Sequence, residues 1–199
     1  METPDTVHAF WFGPAADDEV IAGRQSRLWW RKDPDTDAHL RQRFAPWLAR
    51  AAAHELDAWL GSPRGRLALI LLTDQIPRNI YRDTARAFAF DPLARRWCEE
   101  GLAAGVDEAL RPIERVFFYL PLEHSESLSD QQRAVALYRA LAAGAPEGAR
   151  KSFDVFLDFA DRHLDVIKRF GRFPHRNKLL GRASTDRERE FLAQPGSSF

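Results

Sequence analysis

The chain has 199 residues, with 29 basic side chains balanced by 29 acidic ones and a single cysteine. Zero formal charge argues against a surface built throughout for nucleic acid, and one cysteine excludes an internal disulfide scaffold and a zinc site of the CxxC kind. A chain of this length buries about 70% of the surface its unfolded form exposes, enough for one core without staples, so residues 1–199 are read as a single domain that would divide, if at all, near residues 61 and 145.

Alternating runs of strand length are absent, and segments begin at Ser, Thr or Asp followed by Pro and stop near Gly, which predicts an all-α fold. The opening METPDTVHAF has neither a basic head nor an apolar signal core, and the longest apolar run, Leu67 to Leu72, falls far short of the roughly 18 residues of a membrane span. A soluble, cytoplasmic protein with no membrane partner is expected. Thr3 with Pro4 opens a first helix that closes at Gly13. Trp29 and Trp30 are neighbours on the next helical stretch and cannot both face inward, so one is expected to line a groove. Asp33 with Pro34 opens another helix, and Ser62 with Pro63 opens one containing LALILL, apolar all round and therefore expected as the buried central rod, ending in Thr73 and Asp74. Asp91 with Pro92 opens a further helix, ending near Gly101 or Gly105, in which Cys98 reads as packing. Ser129 with Gln132 and Thr185 with Glu188 have capping-box spacing. Between them, Glu147 to Phe170 places Phe153, Phe156, Leu157, Ala160, Leu164 and Ile167 on one stripe widened by Phe159, Val166 and Phe170, with His163 on the apolar side as a core histidine.

Three polar stretches fall at helix ends. In TDQIPRNIYR, Asp74 is delivered to a helix C-terminus, where the dipole disfavours a carboxylate, so it needs a cation such as Arg78 or Arg82. In FFYLPLEHSE an aromatic run breaks at Pro121 before Glu123, His124, Ser125 and Glu126. In GRFPHRNKLLGR the long helix stops at Gly171, and Pro174 precedes His175, Arg176 and Asn177. Asp74, Glu123 and Glu126 are candidate bases, His124, His163 and His175 proton shuttles, and Arg78, Arg82, Arg172 and Arg176 forks for carboxylate or phosphate, with Asn79 and Asn177 to orient. The same residues at Pro-broken helix ends also serve as caps and latches. No GxSxG, HExxH, GxGxxG or P-loop string occurs, so no metal and no cofactor is expected. The cationic run from Lys168 to Arg182 is better explained by helix-end pairing than by nucleic acid.

FWFG at Phe10 to Gly13, RGRLALILLTDQIPRNIYR at Arg64 to Arg82, FFYLPLEHSE at Phe117 to Glu126, RFGRFPHRN at Arg169 to Asn177 and the closing PGSSF resemble the bacterial family called domain of unknown function nine-two-four, over nearly the whole chain. The resemblance implies a compact tetratricopeptide-like superhelical bundle of antiparallel helix pairs around the central helix. It brings no established activity. Its polar signature matches Asp74, Arg78 and Asn79, then Glu123, His124 and Ser125, then His175, Arg176 and Asn177, and as a family signature the PGSSF tail is expected to be docked.

Three functions fit. A binding module would hold an anionic small molecule or peptide group through Arg78, Asn79, Ser125, Arg176 and Asn177. A hydrolase-type enzyme would use His124 or His175 as general base, oriented by Asp74 or Glu123. A scaffold would use the polar groups as latches. All three require the segments around Asp74, His124 and His175 to meet in space.

Overall fold

The computed structural model describes residues 1–14 and 16–197. Its helices are α1 (Pro4–Phe12), α2 (Asp18–Trp30), α3 (Pro34–Ala52), α4 (Pro63–Ile70), α5 (Ile76–Ile80), α6 (Asp91–Ala103), α7 (Pro112–Glu123), α8 (Leu128–Gly144), α9 (Glu147–Phe170) and α10 (Asp186–Leu192), and among the described residues there is no strand. The predicted caps largely form. Thr3, Asp33, Ser62 and Thr185 each accept a backbone N–H of the first turn that follows. Two differ. Helix α8 starts beneath Ser127, whose hydroxyl caps Asp130 and is itself bonded to Ser129, so the start lies before the predicted Ser129. At α6, Phe90 occupies the cap position, and the Asp91 carboxylate turns away to Arg78.

Leu67 to Leu72 are fully buried, as expected of a central rod, which packs against α1, α3, α6 and α7. Gly65 is required near its start, where a Cβ would lie 2.1 Å from the Trp59 carbonyl oxygen. The rod does not end at Thr73 and Asp74. A π-helical turn, Leu71–Gln75, joins α4 to α5. Pro77 has no N–H to offer the Thr73 carbonyl, and the wider turn absorbs the mismatch, with the Ile76 N–H reaching back five residues to Leu71 O. Helix α7 likewise runs through Pro121 instead of breaking there. The proline forfeits one ladder bond, and the His124 N–H still bonds Leu120 O at 2.8 Å, which carries Glu123 and His124 to the end of a buried helix.

Helices α8 and α9 pack most extensively on each other, joined through Ala145 and Pro146 as a helical hairpin. On α9, Phe153, Ala160, Leu164 and Ile167 are buried, whereas Phe159 is 41% exposed. Gly171 closes α9 with φ +67°, a left-handed cap that glycine adopts without cost. In the tail, Ser197 Oγ donates to Leu192 O and Arg162 donates to Gly196 O; the final Ser198 and Phe199 of PGSSF lie outside the described residues.

Candidate functional site

The π turn places Asp74, fully buried, opposite the end of α7. Its Oδ1 accepts from His124 Nδ1 at 2.8 Å and its Oδ2 from Gln75 Nε2 at 2.6 Å. Arg78 Nη1 lies 3.3 Å from Oδ1 and donates to the Asp74 carbonyl at 2.6 Å. Burial alone would raise the Asp74 carboxyl, but Arg78 and His124 outweigh it and hold the group far below the usual carboxylate range. An ionised carboxylate only accepts, so the His124 proton sits on Nδ1 and leaves Nε2 as an acceptor for the cavity this ring lines. Burial, and then Arg78, push His124 below the ordinary histidine value against the pull of Asp74, so the ring is neutral at neutral pH.

Arg78 forks onto Asp91 at 2.8 and 3.0 Å. Arg176, in the short 3-10 turn Pro174–Arg176 that follows α9, lies between the rings of Phe88 and Phe173, 4.7 and 4.5 Å from their centroids. It reaches the same Asp91 through Nη1 at 3.5 Å, and its Nε has no hydrogen-bond partner among the described residues. Burial and the like charge of Arg78 hold its guanidinium down to about 10. Burial, then Arg176, lower the neighbouring His175 to about 4. Arg78, Arg176, His175 and Phe88, with His124, Asn79, Arg82 and Trp30, line a cavity of about 430 Å³.

A second cavity, about 410 Å³, opens between α7, α8 and α9 on Val116, Leu120, Tyr138 and Phe156, and shares Trp30, His124 and His163 with the first. Glu123 is its buried carboxyl, pushed up by burial to about 8 and therefore largely protonated at neutral pH. His163 Nδ1 donates to Phe159 O at 2.8 Å and lies 3.2 Å from Glu123 Oε1; burial lowers it to about 3. The expected core histidine is also the wall between two cavities.

His124 and His175 thus line one cavity with Arg78 and Arg176, and Asp74 lies buried behind His124 and Arg78. Other predicted residues do different work. Asn79 lines the cavity, but its Nδ2 donates to Asp37, which Arg82 also grips at 2.8 and 2.9 Å. Ser125 lies outside both cavities and donates to Asp130 at 2.6 Å, where Arg95 also binds. Asn177, also outside, accepts from Arg182 Nε at 3.0 Å and donates to Ser184 at 3.1 Å. Arg172 is committed to Glu188 and Arg182 to Glu126, so the cationic run is divided among separate partners, and Glu126 is a latch. Trp29 is buried and Trp30 is 51% exposed, and both line the first cavity, where one of the pair was expected. Asp91, Gln75 and Phe88 were not predicted as site residues: Asp91 read adequately as a helix start, and nothing in the local sequence pointed it at Arg78.

Among the described residues no group of three His, Cys, Asp or Glu side chains is placed to hold a metal ion, and no helix is long and apolar enough to cross a membrane. No curated protein matches the chain. A solved structure described as a protein of unknown function from Agrobacterium tumefaciens is similar over 96% of both chains, at 39% identity and a TM-score of 0.81. Residues 7–196 match the model of a family described as bacterial protein of unknown function, DUF924. The strings around Asp74, His124 and His175 therefore lie on a shared all-helical fold, and the chain belongs to the DUF924 family.

Proposed function

We propose that this cleft binds the anionic group of a small molecule, with Arg176 as its main contact, in a single-domain cytoplasmic protein. The observation that carries the reading is the incomplete neutralisation of Arg176. Arg176 is only 7% exposed, touches its one carboxylate at 3.5 Å, and lines the cavity. In a poorly hydrated setting an under-paired cation gains more from an incoming anion than it would in water. Titrating the full chain with small carboxylates and inorganic phosphate tests this. A ligand at a hundredfold excess over its Kd is expected to raise the melting temperature by about 5–10 °C, and Arg176→Met removes the rise. If no anion stabilises the protein at saturating concentration, the polar cluster is a set of latches and the scaffold reading stands.

The Asp74–His124 pair favours a second reading, a hydrolase-type enzyme. His124, oriented by Asp74, presents a neutral Nε2 to the cavity next to Arg176 and Arg78. That is the arrangement in which an imidazole takes a proton from water while nearby cations steady developing negative charge. A panel of chromogenic esters, amides and phosphates separates the two readings: turnover abolished by His124→Gln with ligand binding retained supports the enzyme, and binding without turnover across the panel supports the module.

A further inference from the structure

The two cavities share a wall, and their chemistries differ. The first presents the cations Arg31, Lys32, Arg78, Arg82 and Arg176. Asp37, Asp74, Asp83 and Asp91 pair with members of this set, and Arg31 makes no ion pair among the described residues. Arg31 and Lys32 are exposed; in the buried part Arg78 and Arg176 are matched by Asp74 and Asp91, and Arg176 is held only by one 3.5 Å contact, its Nε left without a hydrogen-bond partner among the described residues. The second cavity is lined by Val116, Leu120, Val155, Phe156 and Phe159, and its one carboxyl, Glu123, is largely neutral. Trp30, Val155 and Phe159, three of the large apolar side chains that stay exposed on this molecule, stand around it. Water gains nothing from such a surface, and a hydrocarbon does.

We propose that the occupant is an amphipathic monocarboxylate, its head at Arg176 and its hydrocarbon tail in the apolar cavity between α7, α8 and α9. The buried cluster is otherwise charge-balanced, so a monoanionic head at the unbonded Arg176 Nε leaves less uncompensated charge than a phosphate dianion would. The shared wall of Trp30, His124 and His163 sets the junction between head and tail, so the atoms nearest the head lie beside His124 Nε2. This assignment rests on the anion reading above for its head, and on the second cavity alone for its tail.

Titration calorimetry of the full chain with butanoate, hexanoate, octanoate and decanoate, with octanol and octyl phosphate as controls, tests both parts separately. Affinity is expected to rise about threefold to fourfold for each added methylene until the cavity is filled. Octanol and octyl phosphate should each bind at least tenfold more weakly than octanoate. Phe159→Asp, at an exposed position of α9, should flatten the dependence on chain length, while Arg176→Met should weaken every carboxylate by a similar factor. Equal affinity along the series would overturn the amphiphile and leave the anion site standing. Octanol binding as tightly as octanoate overturns the head at Arg176 for this amphiphile, while the titration with small carboxylates and inorganic phosphate decides the anion reading separately. Should the free chain prove to be a dimer that Phe159→Asp dissociates, with no dependence on chain length, the apolar cavity belongs to a second copy and the tail assignment fails.

Discussion

At the end of the molecule where α9 meets α10, Arg172 and Arg182 each close on a carboxylate of their own, Glu188 at 2.7 and 2.8 Å and Glu126 at 2.7 and 2.9 Å. In the cleft, a few residues away along the same loop, Arg176 shares Asp91 with Arg78 and touches it at a single 3.5 Å contact. The residue types are the same in both places. The stoichiometry differs: a guanidinium whose fork is matched by one carboxylate is finished as a structural brace, whereas one that shares a carboxylate keeps donors for something else.

The largest test of that contrast lies at Asp74, where brace and site coincide. Asp74→Ala leaves Gln75 and His124 without their buried acceptor and takes one of two carboxylates from Arg78, which keeps Asp91, and should cost about 3–5 kcal/mol in urea unfolding. Ligand binding by whatever folded protein remains should fall as well, because His124 loses its orientation. A loss below about 1 kcal/mol would show that Arg78 and His124 do not depend on this carboxylate. Next in size is the brace at the other end. Glu126 holds Arg182 through both oxygens and also accepts the Phe173 N–H at 2.8 Å. Glu126→Ala should cost about 2–3 kcal/mol, less than a fully buried pair because both partners are partly exposed. It should leave anion affinity within about threefold, as a brace outside the cavity must.

Glu123 distinguishes the two cavities by pH. Its folded value, about 8, lies above that of an unfolded glutamic acid, near 4.3. Between those values the unfolded chain has released the proton and the folded chain still holds it, so stability falls as pH rises, by at most about 1.4 kcal/mol per unit, and levels off above 8. Below the unfolded value both states are protonated and nothing is lost. Unfolding free energies of the native chain minus those of Glu123→Gln, measured from pH 5 to 9, should show that slope. A flat difference would mean that Glu123 is ionised and that the second cavity is less apolar than its lining implies.

Much of the local structure was legible because caps are local. Thr3, Asp33, Ser62 and Thr185 meet acceptor and donor within one turn, and α9 shows its period over 24 residues. The rod was legible from LALILL, yet its continuation was not: Pro77 reads as a stop unless the π turn is known to absorb it, and that turn is what aims Asp74 at His124. Pro121 misled in the same way. For the site, residue type was legible and commitment was not. Ser125 and Asn177 carry the same kinds of group as Gln75 and Asn79, and only the fold decides that Asp130, Ser184 and Arg182 reach them first. Asp91 and the apolar cavity were invisible because they are defined by contacts across the fold and leave no mark in local spacing.

The smallest expected effect is the most informative. Replacing an arginine with methionine keeps the apolar stem and removes the charge. At Arg182 the change strands Glu126, so stability should fall by about 2 kcal/mol. At Arg176 it removes a guanidinium that burial and Arg78 already disfavour, and Asp91 keeps its two-point contact with Arg78. The methionine stem can still lie between Phe88 and Phe173, where sulfur and aromatic rings pack well. Arg176→Met should therefore change unfolding free energy by less than about 1 kcal/mol, with a gain as admissible as a loss. Functional sites are where stability is given up, so a cation that costs nothing to remove and abolishes anion binding marks a site. A loss at Arg176 as large as that at Arg182 would instead mean that Asp91 needs both guanidiniums, and the contrast between brace and cleft would disappear.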